Sequence, residues 1–203
     1  MANTETESSW GEFFASLKER GLKDVRLITS DNHKGLVNAV KRHFQGATWQ
    51  RCQTHFSRNM LDHTPKALQP VIKEDLRELY EAVDLDSARK VRDQLLGKYG
   101  TIAPKAATLL DESFDDVTAI LAVPLKYRKR LRTTNGVERL NQEVRRRERV
   151  IRIFPNEASV IRLIGALLME QDEKWQAGRK YFDMDLYYQS MENKKTKDRN
   201  PAA

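Results

Sequence analysis

The 203 residues are enough for one ordinary domain, or one domain with an appendage, and no internal repeat divides them. A formal charge of +7 points to a polyanionic partner, while 39% apolar and 32% charged residues fit a well-solvated, mostly helical build around a modest core. No apolar run approaches the roughly 18 residues of a membrane span, the start Met-Ala-Asn-Thr-Glu-Thr-Glu is unlike a signal peptide, and the single cysteine, Cys52, excludes an internal disulfide and a Cys-rich zinc module, so a cytoplasmic protein with no membrane partner and no zinc is expected.

Ser8 or Ser9 can cap a first helix in which Trp10, Phe13, Phe14 and Leu17 keep helical spacing and Gly21 supplies the stop; this helix is expected to pack on a sheet. Val25, Leu27 and Ile28 form a short apolar run, rich in β-branched residues, ending at Ser30-Asp31, which places Asp31 at a strand tip. There it can serve as the N-cap of the next helix or as a metal ligand. A helix from about His33 to Phe44 buries Leu36, Val37 and Val40, and Gly46 closes it before a second strand, Ala47 to Arg51. Helix, strand, helix, strand is α/β wiring. From Cys52 to about Leu131 the strand signals stop, and Leu76, Leu79, Tyr80, Val83, Ala88, Val91, Leu95 and Leu96 keep helical spacing through an all-helical block.

The stretch Arg132 to Arg147 follows. Asn135-Gly136 starts a helix, Val137, Leu140 and Val144 make an apolar stripe, and Glu138, Asn141 and Arg145 share the neighbouring polar face. From Lys126 to Arg152 there are eleven Lys or Arg against three Glu, denser than a solvated helix needs. Asn135-x-x-Glu138 also has the spacing of a capping box, in which the acid would only bind a backbone N–H. Arg145, Arg146 and Arg147 are consecutive and repel one another unless anions neutralise them. Phe154-Pro155-Asn156 then breaks the chain, and Asn156 can cap a long helix whose Val160, Ile161, Leu163, Ile164, Leu167 and Leu168 form a wide apolar face, expected in the core. Residues 189–203 are polar and aperiodic, and disorder is expected there.

Thr133-Thr134-Asn135-x-x-Glu138-Arg139-x-Asn141-x-Glu143-x-Arg145-Arg146-Arg147, followed by Ile153-Phe154-Pro155-Asn156-Glu157-Ala158-Ser159, resembles the C-terminal signature of Mutator-type bacterial insertion-sequence transposases. Ser30-Asp31-x-His33-x-Gly35-Leu36 resembles that family's second catalytic acid with its neighbours, and Cys52-x-x-His55 a motif near its catalytic centre. The resemblance implies DDE chemistry on an RNase H-like fold: Asp31 and Glu138 as catalytic acids and ligands of Mg²⁺ or Mn²⁺, with His33, Cys52 and His55 as assisting residues. It implies double-stranded DNA, transposon ends and target, as the partner of Arg132, Asn135, Arg139, Asn141, Arg145, Arg146, Arg147 and Arg152.

The family's first acid lies upstream of the helix that begins near Ser8. The resemblance therefore implies a truncated α/β, predominantly helical RNase H-like domain: a partial core over 1–52 with two short strands, a helical insertion over 53–131, C-terminal catalytic helices over 132–188 and a tail over 189–203. Such a chain, nucleoid-associated in a bacterial cytosol, is expected to be catalytically silent alone and to act as a homo-oligomer or with full-length transposase. The rival expectation is a non-catalytic basic DNA-binding or regulatory protein derived from a transposase.

Overall fold

A computed structural model describes residues 5–151, 153–178, 182–185 and 187–189, and the chain divides into two units, Met1–Thr134 and Asn135–Ala203. The first unit opens with helix α1 (Glu7–Glu19), followed by strand β1 (Leu27–Ser30), helix α2 (Lys34–His43) and strand β2 (Thr48–Arg51). The strands pair in parallel, from Leu27 opposite Thr48 to Ser30 opposite Arg51. A parallel pair requires a crossover, and α2 provides it.

Thr6, rather than Ser8 or Ser9, caps α1: its hydroxyl accepts from the Ser9 N–H at 3.3 Å, because the helix begins at Glu7 and both serines already lie in its first turn. Gly21, at φ 99°, ends α1, with its N–H on Lys18 O and the Leu22 N–H on Leu17 O, the pairing of a Schellman stop.

The expected seat of α1 on the sheet needs correction. Phe14 packs with Ala39 and Val40 of α2, its ring edge-on to Phe44 at 5.0 Å, and only Ile28 and Trp49 join from the strands. Two four-residue strands offer too little surface for more. Gly35 permits the close approach at the start of α2: a Cβ there would lie 2.5 Å from the Glu5 carbonyl oxygen. Gly35→Ala is therefore expected to cost about 1–3 kcal/mol, measured by urea denaturation, since backbone must move to admit the methyl group.

The larger core belongs to the helical block: α3 (Gln53–Asp62), a 3-10 turn (Lys66–Leu68), α4 (Gln69–Glu81), α5 (Leu85–Tyr99), α6 (Pro104–Thr118), a second 3-10 turn (Ala119–Ala122) and α7 (Leu125–Leu131). Phe56, Met60, Ile72, Leu76, Leu79, Ala88, Leu95, Tyr99, Leu110, Phe114 and Val117 are buried together, and Tyr80, Val91 and Leu96 pack on them partly buried. Val83 departs from the expected helical face. It lies between α4 and α5 and is 70% exposed, because Asp84 has already become the N-cap of α5, accepting from the Ser87 N–H at 2.8 Å.

A buried polar joint ties this block to β2. The Val117 carbonyl, in the last turn of α6, accepts from the Gln50 amide at 3.0 Å and the Gln53 amide at 2.9 Å, and the Ile120 N–H donates to Gln50 Oε1 at 2.7 Å. Carbonyls at a helix end lack helical partners, so the two glutamines supply what the backbone cannot. The unit is thus predominantly helical with one small parallel sheet.

The second unit contains α8 (Asn135–Ile151) and α9 (Glu157–Ala177), with Arg147 of α8 3.7 Å from Glu170 of α9. Asn156 caps α9, its side chain accepting from the Ser159 N–H at 2.9 Å. The expectation that α9 lies in a core does not hold among the described residues. Of its apolar face only Leu167 is buried, while Ile161 is 57% and Leu168 41% exposed, because α8, the other long helix of this unit, buries no residue of its own. Residues 190–203 of the expected tail, and Arg152, lie outside the described residues. No helix among the described residues is long and apolar enough to cross a membrane.

Candidate functional site

Asp31 stands exposed just beyond the end of β1. Its strand tip is held from the neighbouring strand: the Cys52 N–H donates to the Ser30 carbonyl at 2.6 Å, and the Trp49 indole donates to the Ser30 hydroxyl at 2.9 Å. The N-cap of α2 is His33, not Asp31, and His33 makes no side-chain cap bond. The capping role that spacing allowed for Asp31 is thereby removed, and its carboxylate stays exposed. His33 is directed elsewhere, with Nε2 3.6 Å from the Glu5 carboxylate.

A second segment is fastened to the same strand ends. The Thr29 hydroxyl of β1 donates to the Leu131 carbonyl at 2.5 Å, the Gln53 N–H donates to the Arg132 carbonyl at 3.0 Å, and the Thr134 N–H donates to Cys52 Sγ at 3.4 Å. The Thr134 hydroxyl lies 3.4 Å from the same sulfur. Arg132 also donates to the Tyr80 carbonyl at 3.3 Å, so part of its guanidinium serves the fold. Cys52 is fully buried, and His55 stands half-buried in the first turn of α3. The Tyr80 hydroxyl, bonded to Ser57 at 2.8 Å, is pushed well above the usual phenol range by burial.

Sequence spacing gave no sign of the role of Arg51. This last residue of β2 is 4% exposed, donates from Nη1 to Ser113 at 2.6 Å and lies over the Phe56 ring. Loss of water lowers its pKa, and nearby Asp116 opposes that shift. Burial in turn raises the Asp116 carboxyl above its usual range. An ionised group at this depth holds the strand end to α6.

In the second unit, Glu138 is half-buried in the first turn of α8, and Asn135, Arg139, Asn141 and Arg145 are exposed. Two of the three consecutive arginines have an anion within their own helix. Glu143 takes Arg146 at 2.7 and 2.8 Å and Arg147 at 3.1 Å, a pairing the i,i+3 and i,i+4 spacings make available. Arg145 is the one of the three without such a contact among the described residues. The bonds from Arg146, then Arg147, hold the Glu143 carboxyl down to about 2. Because the folded value is depressed, these contacts are present above the ordinary glutamate range and fade only as pH falls through about 2. A carboxyl-detected NMR titration is expected to place the Glu143 midpoint near 2; a midpoint near the ordinary value of about 4.3 would contradict the pairing.

Within the first unit, therefore, the structure brings together Thr29 and Ser30, which precede Asp31, with Cys52 and the segment Leu131–Thr134, while His33 lies by Glu5. Glu138 lies four residues beyond Thr134 in the chain.

Residues 1–178 match the family described as transposase, Mutator family. The chain is 42% identical over 185 residues to the transposase for insertion sequence element ISRM5 of Rhizobium meliloti, covering 91% of this chain and 46% of that protein. It is 43% identical over 184 residues to the transposase for IS256 in transposon Tn4001 of Staphylococcus aureus, covering 89% and 47%, and 39% identical over 186 residues to the transposase for IS1081 of Mycobacterium tuberculosis, covering 92% and 45%. The chain thus spans about half the length of the curated relatives it matches. The identities and the span of the family match agree with the residue pattern from Asp31 to Arg147, and the chain belongs to the Mutator family of transposases.

Proposed function

We propose that this chain carries two of the three acids of a DDE strand-transfer site, Asp31 and Glu138, on part of an RNase H-like domain, together with a basic helix that holds DNA. The observation that supports this most is the fastening of Leu131–Thr134 to the ends of β1 and β2. It carries the chain from the tip bearing Asp31, across 106 intervening residues, back to the segment that leads into Glu138.

The residues fit a hard divalent ion. Asp31 is exposed and unused as a cap, and carboxylate oxygens are what Mg²⁺ or Mn²⁺ prefers, whereas the Cys52 sulfur is soft and already contacts Thr134. When bound, such ions would activate a water or a 3′-hydroxyl and stabilise the leaving oxygen of an in-line displacement at phosphorus. The chain itself supplies the two carboxylates, holds their flanking segments in place and neutralises DNA phosphates with the α8 arginines. No covalent protein intermediate is needed. The third carboxylate would come from the preceding part of a full-length family member, so the complete reaction belongs to the longer protein.

Strand transfer on the element's own ends, with Mg²⁺ or Mn²⁺, tests this reading. Activity in a chain extended upstream through the first acid, and none in the 203 residues alone, is the expected result. Joining by the short chain that survives Glu138→Gln would overturn the assignment, and DNA binding without joining by either chain would favour a regulatory role.

A further inference from the structure

Cys52 touches both the end of β1 and the segment Leu131–Thr134, beside the Thr29 bond to Leu131 that also links them. Its backbone N–H is bonded to Ser30, the residue before Asp31, and its sulfur receives Thr134, the residue before the first residue of α8. It is the N-cap of α3 yet makes no side-chain cap bond, and its sulfur contacts Thr134. Gln53 reinforces the arrangement through its N–H on the Arg132 carbonyl. A thiol that only filled space would need neither the amide nor the hydroxyl of Thr134 within 3.4 Å.

We propose that Cys52 is a positioning residue: a fully buried sulfur acceptor that fixes Thr134, the last residue before the helix bearing Glu138, while its own N–H holds Ser30, the residue before Asp31. The proposal rests on the catalytic reading of those two acids for its consequence, but not for the contact itself. Sulfur accepts weakly, so the latch is set for orientation more than for stability. Small errors in orientation are costly where two acids must share a reacting centre.

Amide hydrogen exchange on the chain is the first test. Cys52→Ala is expected to speed exchange at Thr134 about five- to tenfold, the loss of one modest hydrogen bond, while α4 to α6 keep their protection. Cys52→Ser, which restores an acceptor, is expected to recover most of it. Should the alanine variant not fold, Thr134→Val reads the contact from the other side. In Thr134→Val, Cys52 remains the chain's one cysteine, so its reaction with a disulfide reagent reports this position alone and is expected to quicken several-fold.

The second test is strand transfer by a complete family transposase whose matched half is this sequence. Cys52→Ala is expected to lower the rate about ten- to a hundredfold with DNA-end affinity unchanged, and Cys52→Ser to rescue it. Unchanged exchange at Thr134 and an unchanged thiol rate overturn the latch. Faster exchange with an unaltered joining rate overturns its catalytic role. Joining that survives Glu138→Gln instead refutes the reading of Glu138, and leaves the exchange result to decide on the latch.

Discussion

Glu138→Gln, and separately Asp31→Asn, made in a chain extended through the first acid, are each expected to lower strand transfer by about a thousandfold or more while DNA binding changes little. Each replacement keeps the shape of the side chain and removes one negative charge. A site that concentrates divalent cations depends on that charge, and several kcal/mol of transition-state stabilisation go with it. Neither residue is part of the core: Asp31 is exposed and Glu138 half-buried, so thermal stability should hold and a lost activity can be read as lost chemistry. Loss of DNA binding in parallel with joining would instead place these acids in the fold or the DNA interface.

Replacing Arg145, Arg146 and Arg147 together with Ala is expected to reduce the slope of log binding constant against log salt by roughly two to three units, since each phosphate contact releases condensed counterions. The three should not contribute equally. Arg145 has no carboxylate contact among the described residues, whereas Arg147 is shared between Glu143 and Glu170. Arg145→Ala alone should therefore account for about one unit of slope, and Arg147→Ala for less. Glu143→Gln is the converse experiment. It releases Arg146 and Arg147 from their intrahelical acid and is expected to steepen the slope and tighten binding at low salt. Weaker binding by that variant would mean that Glu143 orders the arginines for DNA instead of competing with it.

What could be read from the sequence was mostly local. The strand before Asp31, the crossover helix, the helical block and the Asn156 cap each depend on spacings within a few residues, and they stand nearly where periodicity and capping chemistry place them. Local signals also misled. Two adjacent serines drew attention from Thr6, and the width of the α9 apolar face suggested a core that the described residues do not form. The Glu143 clamp was within reach, since its partners follow at three and four residues.

The fastening of Thr29 to Leu131 and of Cys52 to Thr134 was not. These pairs are separated by 102 and 82 positions, and no helical or strand period extends across such a gap. The catalytic assignments rested on a family pattern of polar residues, because two strands of four residues carry too little alternation to specify a fold.

The central claim is that Asp31 and Glu138 serve one metal centre. Anomalous diffraction from Mn²⁺ in crystals of a full-length family member carrying these residues, bound to its cleaved transposon end, tests it most directly. The expected result is manganese density with an oxygen of each carboxylate at about 2.0–2.4 Å, and a second ion about 3.5–4 Å away. Manganese bound without Glu138, or carboxylates more than about 10 Å apart in the DNA-bound state, would contradict the account.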